Sequence, residues 1–309
     1  MKRFILCVLL PALLLAVPAH SQVKSTHLFA ERDTCKLYLD LYMPSDEAIL
    51  AEGKPVILFA FGGGFIMGSR DDASYLPWFK DLTSKGYPVV SIDYRLGLKG
   101  ARYGVNLKFA KALKHAIDIA TEDFVSATGF LLENAAELDI AGRPIVAAGS
   151  SAGAVTVLQA EYCISNSLAP AETLPQDFNY AGVISFSGAI FSSDGSVKYK
   201  KAPCPQLLFH GTADKMVPYK QIHLFKMCFG GTFHIARALE KEGRNYQVWR
   251  FKDRLHEVAS SMLHNLPIEY DFLERNVTGG EFRVIDATIQ DSNLPMPKWA
   301  TDPAESLYK

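Results

Sequence analysis

Gly149-Ser150-Ser151-Ala152-Gly153 is the stretch best suited to chemistry. It follows the apolar run Ile145-Val146-Ala147-Ala148, which Pro144 punctuates, and leads into apolar residues at helical spacing through Leu158 and Cys163. Strand, sharp turn and helix is the setting in which a Gly-x-Ser-x-Gly serine is held out as a nucleophile. Such a turn strains the backbone at the serine, and glycine neighbours have no Cβ to collide. Ser151 would stand at the top of a sheet and at a helix N-terminus. The free N–H of Ala152 would then point to where an oxyanion forms. Five small residues can equally be a turn that only packs a helix on a strand. The chemical reading therefore requires an acid, a base and a second oxyanion donor elsewhere in the chain.

The candidate acid is Asp214, in His210-Gly211-Thr212-Ala213-Asp214, with Val217-Pro218 just beyond. It falls on a turn-rich loop after the apolar run Gln206–His210, where a carboxylate can fix an imidazole tautomer. The competing role is a cap on a helix starting near Tyr219. The candidate base is His256, on the polar loop after Tyr246–Phe251. Imidazole titrates near neutrality, so it can take a serine proton and return it. A lone loop histidine can also be plain surface. The chain order Ser, Asp, His is the order that accompanies an elbow serine. His115, His223, His234 and His264 fall within helical patterns, and His210 ends a strand beneath the site. The second donor is Gly62-Gly63-Gly64, whose unhindered amides can approach an anion closely. No Gly-Lys-Ser/Thr follows it and the spacing is not Gly-x-Gly-x-x-Gly, so neither a P-loop nor a dinucleotide site fits.

These groups must be positioned by the elements between them. Two strands are expected within Thr26–Met43, then a polar loop over Ser45–Lys54. Pro55–Phe61, Tyr87–Asp93, the elbow strand, Ala181–Ser187, Gln206–His210 and Tyr246–Phe251 read as further strands. Several are continuous apolar runs, as buried parallel strands require. Helices are expected near Leu76–Lys85, from Asn106 to about Leu138 with a break near Thr128-Gly129, and after the elbow. Tyr219–Glu242, interrupted by Gly230-Gly231, and His256–Arg275 read as two more. Alternating strands and helices imply an α/β fold, a mostly parallel central sheet with helices on both faces. Functional groups in such sheets gather beyond the carboxyl ends of the strands. The tail after Asn276 is polar and punctuated by Gly and Pro, with one extra strand expected at Phe282–Ile285.

The chain has 309 residues, 49% hydrophobic, with a formal net charge of −1. That suits one larger α/β domain and gives no reason to expect nucleic acid or an anionic membrane as partner. Lys2 and Arg3 precede an apolar run from Phe4 to Val17, with Ala19-His20-Ser21 at cleavage spacing. This reads as a signal peptide over residues 1–21, too short for a comfortable membrane span. The expected division is signal peptide 1–21, catalytic domain 22–275 and C-terminal extension 276–309. Cys35, Cys163, Cys204 and Cys228 allow three full disulfide pairings in an exported chain, and buried free thiols fit as well. Their spacing resembles no zinc site.

Phe61-Gly62-Gly63-Gly64-Phe65, Asp93-Tyr94-Arg95-Leu96, Gly149–Gly153, Ser185-Phe186-Ser187-Gly188-Ala189, His210–Asp214 and His256 together resemble the α/β-hydrolase superfamily. The nearest likeness is to bacterial secreted carboxylesterases and feruloyl-esterase-like enzymes, beside the hormone-sensitive-lipase branch. The resemblance implies Ser151 as nucleophile, His256 as general base and acid, and Asp214 as its orienter. It implies an oxyanion hole from Gly63, Gly64 and Ala152, no metal and no organic cofactor. It further implies short-acyl or aromatic-acyl esters, such as acetyl or feruloyl groups on polysaccharides, as substrates. A serine peptidase of the same fold and a non-catalytic binding protein are the alternatives. One position departs from the family pattern: Phe61 stands where a histidine usually precedes the glycines, and would brace the loop by packing. Loops around Arg70–Trp78, Leu98–Tyr103 and Leu168–Asn179 would set specificity, with Tyr75, Trp78, Phe178 and Tyr180 able either to stack on a substrate or to pack in the core.

Overall fold

A computed structural model describes residues 23–33, 35–45, 53–100 and 107–302. The expected signal peptide, most of the polar loop after Ser45, and residues 101–103 of one expected specificity loop lie outside the described residues. In chain order the strands are β1 (Val23–Arg32), β2 (Cys35–Met43), β3 (Val56–Ala60), β4 (Val89–Ile92), β5 (Ile145–Ser150) and β6 (Gly182–Phe186). They continue with β7 (Ala189–Ser192), β8 (Gln206–Gly211), β9 (Gln221–Leu224), β10 (Met227–Gly231), β11 (Tyr246–Phe251) and β12 (Val284–Ile289). The helices are α1 (Leu76–Ser84), α2 (Leu107–Glu133), α3 (Ala152–Asn166), α4 (Thr232–Lys241) and α5 (Met262–Asp271).

Nine strands form one sheet in the order β1-β2-β4-β3-β5-β6-β8-β11-β12. The β1–β2 and β2–β4 pairs are antiparallel, and every other neighbouring pair is parallel. The central strands β3, β5, β6 and β8 are buried along their whole length. Their near-continuous apolar sequence is what a sheet covered on both faces demands. α2 packs on α3, and α1 on α5. Phe59, Phe186 and Phe209 are fully buried, and the last two stack at 4.9 Å between ring centroids. Each such side chain contributes about 2–3 kcal/mol by leaving water. A few of them outweigh the 1–3 kcal/mol that one strained residue above the sheet costs. Among the described residues no helix is long and apolar enough to cross a membrane.

Four local expectations differ from the structure. The stretch from Tyr219 to Gly231 is a β-hairpin, β9–β10, that joins β7 in a second sheet of order β7-β10-β9. Ile222/Leu224 and Met227/Phe229 alternate with the period of a strand, Phe225 turns the chain between them at φ 55°, and Gly230-Gly231 pair with Ile190 and Ala189. Close packing fixes Gly231, where a Cβ would meet the Pro218 carbonyl oxygen at 1.7 Å. Second, α2 runs unbroken through Gly129, because one glycine in a helix costs only about 1 kcal/mol and tertiary packing covers that. Third, the last helix is composite: a 3-10 turn (His256–Ser260), α5, and a π stretch (Phe272–Thr278). Fourth, the tail strand lies slightly later than Phe282–Ile285, and its six residues pair in parallel with β11 at the sheet edge. Cys163, Cys204 and Cys228 are buried free thiols.

Candidate active site

Ser151 sits between β5 and α3 at φ 51°, ψ −117°, a region that non-glycine residues seldom occupy. The flanking glycines are sterically required. A Cβ at Gly149 would lie 2.4 Å from the Gly153 carbonyl oxygen, and one at Gly153 only 2.0 Å from that of Ala60. The elbow is pinned to the next strand by the Ser151 N–H, which donates to the Phe186 carbonyl at 2.9 Å. Ala152 opens α3, and the first amides of a helix have no partner within it.

Asp214 follows β8, as expected, but caps no helix, since β9 follows instead. Its Oδ1 accepts from the amides of Met216 at 2.9 Å and Val217 at 3.1 Å, which folds the loop back. Its Oδ2 lies 2.7 Å from His256 Nδ1. A carboxylate only accepts, so Nδ1 carries the proton and Nε2 of the neutral ring is left as acceptor. Ser151 Oγ lies 2.7 Å from that Nε2 and donates to it. Burial alone would push the Asp214 carboxyl up. The charge that His256 carries when protonated, and hydrogen bonds from His210 and His256, outweigh burial and hold it well below the usual carboxylate range.

His210 is fully buried beneath this line. Its Nε2 donates to the Val217 carbonyl at 3.1 Å and lies 3.3 Å from Asp214 Oδ2, while Nδ1 meets Thr232 Oγ1 at 2.8 Å. Of the other histidines, His223 lies on β9 rather than on a helix.

Gly62, Gly63 and Gly64 face Ser151 across a cavity of about 420 Å³. Gly63 and Gly64 have φ of 130° and 63°, and a Cβ on Gly63 would meet the Met67 carbonyl oxygen at 2.1 Å. Phe61 is buried and stacks on Tyr94 at 4.4 Å between ring centroids, so packing does brace the loop at the position of the family's histidine. Met67, Asp72, Tyr75, Met216, Trp299 and Asp302 are among the other lining residues.

Of the four aromatic side chains with two possible roles, only Tyr75 lines this cavity. Trp78 is buried and donates from Nε1 to Glu269 at 2.8 Å, the Tyr180 hydroxyl pairs with Thr128 at 2.8 Å, and Phe178 packs edge-on against Tyr180. Leu168, Ala169 and Pro170 line a different hollow, beside Cys163. Trp299 was not legible as a site residue. It lies in the Pro-punctuated tail, and its ring meets His256 edge-to-face at 6.3 Å only because the tail folds back.

The BD-FAE family model, an esterase family, matches residues 39–191. That span runs from within β2 to β7, so it contains the glycine loop and the elbow and ends before Asp214 and His256. Esterase 2 of Thermogutta terrifontis phosphoramylated by tabun has a similar structure, with TM-score 0.56 and 21% identity over 81% of this chain and 95% of that one. The apo form of the same esterase gives TM-score 0.55 and 22% identity over 82% and 96%. Two non-reducing polyketide synthases share a short stretch. NvfA of Aspergillus novofumigatus (strain IBT 16806) is 37% identical over 73 residues, and adrD of Penicillium roqueforti 33% over 79. The chain spans 3% of the length of each synthase. The parallel sheet with its elbow and the likeness to solved esterases agree: the chain has the α/β-hydrolase fold, and the BD-FAE match spans its glycine loop and elbow.

Proposed function

We propose that the chain is a serine carboxylesterase in which Ser151 is the nucleophile, His256 the general base and acid, and Asp214 the residue that orients His256. The observation that carries this reading is the pair of 2.7 Å hydrogen bonds joining Ser151, His256 and Asp214 at the floor of an open cavity. Ser151 Oγ attacks the ester carbonyl carbon while His256 Nε2 takes its proton. The carbonyl oxygen becomes an oxyanion, received by the amides of Gly63, Gly64 and Ala152. Collapse breaks the bond to the alcohol, and His256 gives that leaving oxygen the proton. Water then attacks the acyl-enzyme by the same steps and frees the acid.

The cavity supports small acyl groups. Met67, Tyr75, Met216 and Trp299 offer apolar and aromatic surface, whereas Asp72 and Asp302 disfavour an anionic acyl chain. Acetyl or feruloyl esters on polysaccharides suit this lining and the exported setting expected from residues 1–21. Residues 22–275 form the catalytic body in this reading, and 276–309 an extension that serves it through β12 and Trp299. The test is hydrolysis of p-nitrophenyl acetate, butyrate and octanoate by the wild type and by Ser151→Ala, with acetylated xylan and methyl ferulate beside them. Release that falls with chain length and vanishes in a folded Ser151→Ala protein is expected. Normal turnover by Ser151→Ala would exclude the serine mechanism. Activity confined to long-chain lipid esters would exclude the substrate class.

A further inference from the structure

The peptide unit joining Phe61 to Gly62 is held at both of its polar ends by tyrosine hydroxyls. Tyr94 Oη donates to the Phe61 carbonyl at 2.8 Å, and the Gly62 N–H donates to Tyr75 Oη at 2.9 Å. A peptide unit is planar, so fixing both ends fixes its rotation about the chain. The amides of Gly63 and Gly64 follow from that plane, in a run of glycines that would otherwise sample many conformations. Tyr94 is buried, and burial keeps its hydroxyl protonated as a donor.

Tyr75 and Ser150 flank the same glycine: a Cβ on Gly62 would lie 3.2 Å from the Tyr75 hydroxyl oxygen and 3.1 Å from Ser150 Oγ. Ser150 Oγ donates to the Ala259 carbonyl at 2.7 Å, and Ala259 belongs to the 3-10 turn His256–Ser260. The clamped peptide therefore lies against the residue that precedes Ser151.

We propose that Tyr75 is a positioning residue for hydrolysis, fixing with Tyr94 the peptide plane from which the amides of the glycine loop follow. This rests on the reading of Ser151 as nucleophile and of the glycine amides as oxyanion donors. The tyrosine acts on where the charge develops and not on where the substrate first binds, so its loss belongs in kcat.

The experiment compares wild type, Tyr75→Phe, Tyr94→Phe and Ser151→Ala on p-nitrophenyl acetate. Each protein is also titrated with a trifluoromethyl ketone, which forms a tetrahedral oxyanion adduct on a serine, and with the matching alcohol, which cannot. Tyr75→Phe keeps the ring that packs edge-on against Phe59 at 4.8 Å. It is expected to lower kcat about 10- to 100-fold, as a misplacement of an ångström or less does, with KM changed less than about threefold. Affinity for the ketone falls by the same factor as kcat/KM, and affinity for the alcohol stays. Tyr94→Phe frees the other end of the same peptide unit, gives the same signature and stands in should Tyr75→Phe fail to fold. Wild-type kcat and ketone affinity in a folded Tyr75→Phe or Tyr94→Phe protein, beside an inactive Ser151→Ala, overturn the tyrosine proposal alone. Equal loss of affinity for ketone and alcohol also overturns it, since that is general disruption of the cavity. Turnover surviving in Ser151→Ala overturns the serine reading and the clamp proposal with it.

Discussion

Replacing Gly153 by alanine adds one methyl group where the structure has no room for it. The new Cβ would stand 2.0 Å from the Ala60 carbonyl oxygen, 2.5 Å from the Ala60 carbonyl carbon and 2.5 Å from the Phe61 carbonyl oxygen. All three are backbone atoms at the end of β3, a strand with neighbours on both sides and no exposed residue. The sheet is the stiffer partner, so α3 must retreat. Ordinary contact begins at 3.4 Å, which asks for about 1.4 Å of movement. Ser151 immediately precedes α3, and its 2.7 Å bond to His256 does not survive a shift of that size. Overpacking of this kind costs about 1–3 kcal/mol of stability, and an ångström of misplacement about 100-fold in rate. Gly153→Ala should therefore lower kcat/KM by about two orders of magnitude and Tm by several degrees. Gly129→Ala is the internal control: a Cβ there meets nothing within 4 Å, four residues before the last residue of α2. It should raise stability by about 1 kcal/mol and leave the rate alone. Differential scanning calorimetry and steady-state kinetics read both. A Gly153→Ala protein with wild-type Tm and kcat/KM within twofold would refute the idea that backbone contact between β3 and α3 sets the position of Ser151.

Glu161 gives a prediction about pH. Burial pushes its carboxyl up from 4.5 to about 7, and hydrogen bonds from Ser165 and Cys204 only partly oppose this. A carboxyl raised on folding stabilises the fold most below its unfolded pKa, and that contribution is lost as pH rises through about 7. The loss amounts to about 3 kcal/mol. Glu161→Gln should remove that slope, so urea unfolding of wild type and variant should converge at pH 5 and diverge in favour of the variant at pH 8; parallel slopes would refute it. Trp299→Ala opens the cavity wall beside His256, and should raise KM for aryl esters several-fold, more than it lowers kcat, while extending tolerance to longer acyl chains. An unchanged chain-length profile would show that the tail does not shape the site.

The main sheet was legible because its central strands are buried on both faces and so carry unbroken apolar runs. Ser151, Asp214 and His256 each follow such a run, and the glycine loop follows β3, so spacing alone brought the candidates to one edge of the sheet. The β9–β10 hairpin was not legible, since two alternating pairs, Ile222/Leu224 and Met227/Phe229, are too short a signal to separate strand from helix beside the helix that follows at Thr232. What decided between them was pairing with β7, a contact across nearly forty residues. The roles of Tyr75 and Tyr94 escaped for a similar reason. Both residues stood out in the sequence, one as a stacking candidate and one inside a motif, but a hydroxyl's partner cannot be read from spacing. Trp299 gave no signal, because only the fold of the tail carries it to His256.

The edge-to-face contact of Trp299 with His256 also makes the site visible to light. An imidazolium quenches a nearby indole, whereas neutral imidazole does so weakly. The emission of Trp299 therefore changes with the charge of His256, and with its displacement when an acyl group occupies Ser151. Trp78 and Trp249 contribute a background that a Trp299→Phe protein isolates. The difference between the two spectra follows events beside His256 in the unlabelled protein, in real time and without a chromogenic substrate.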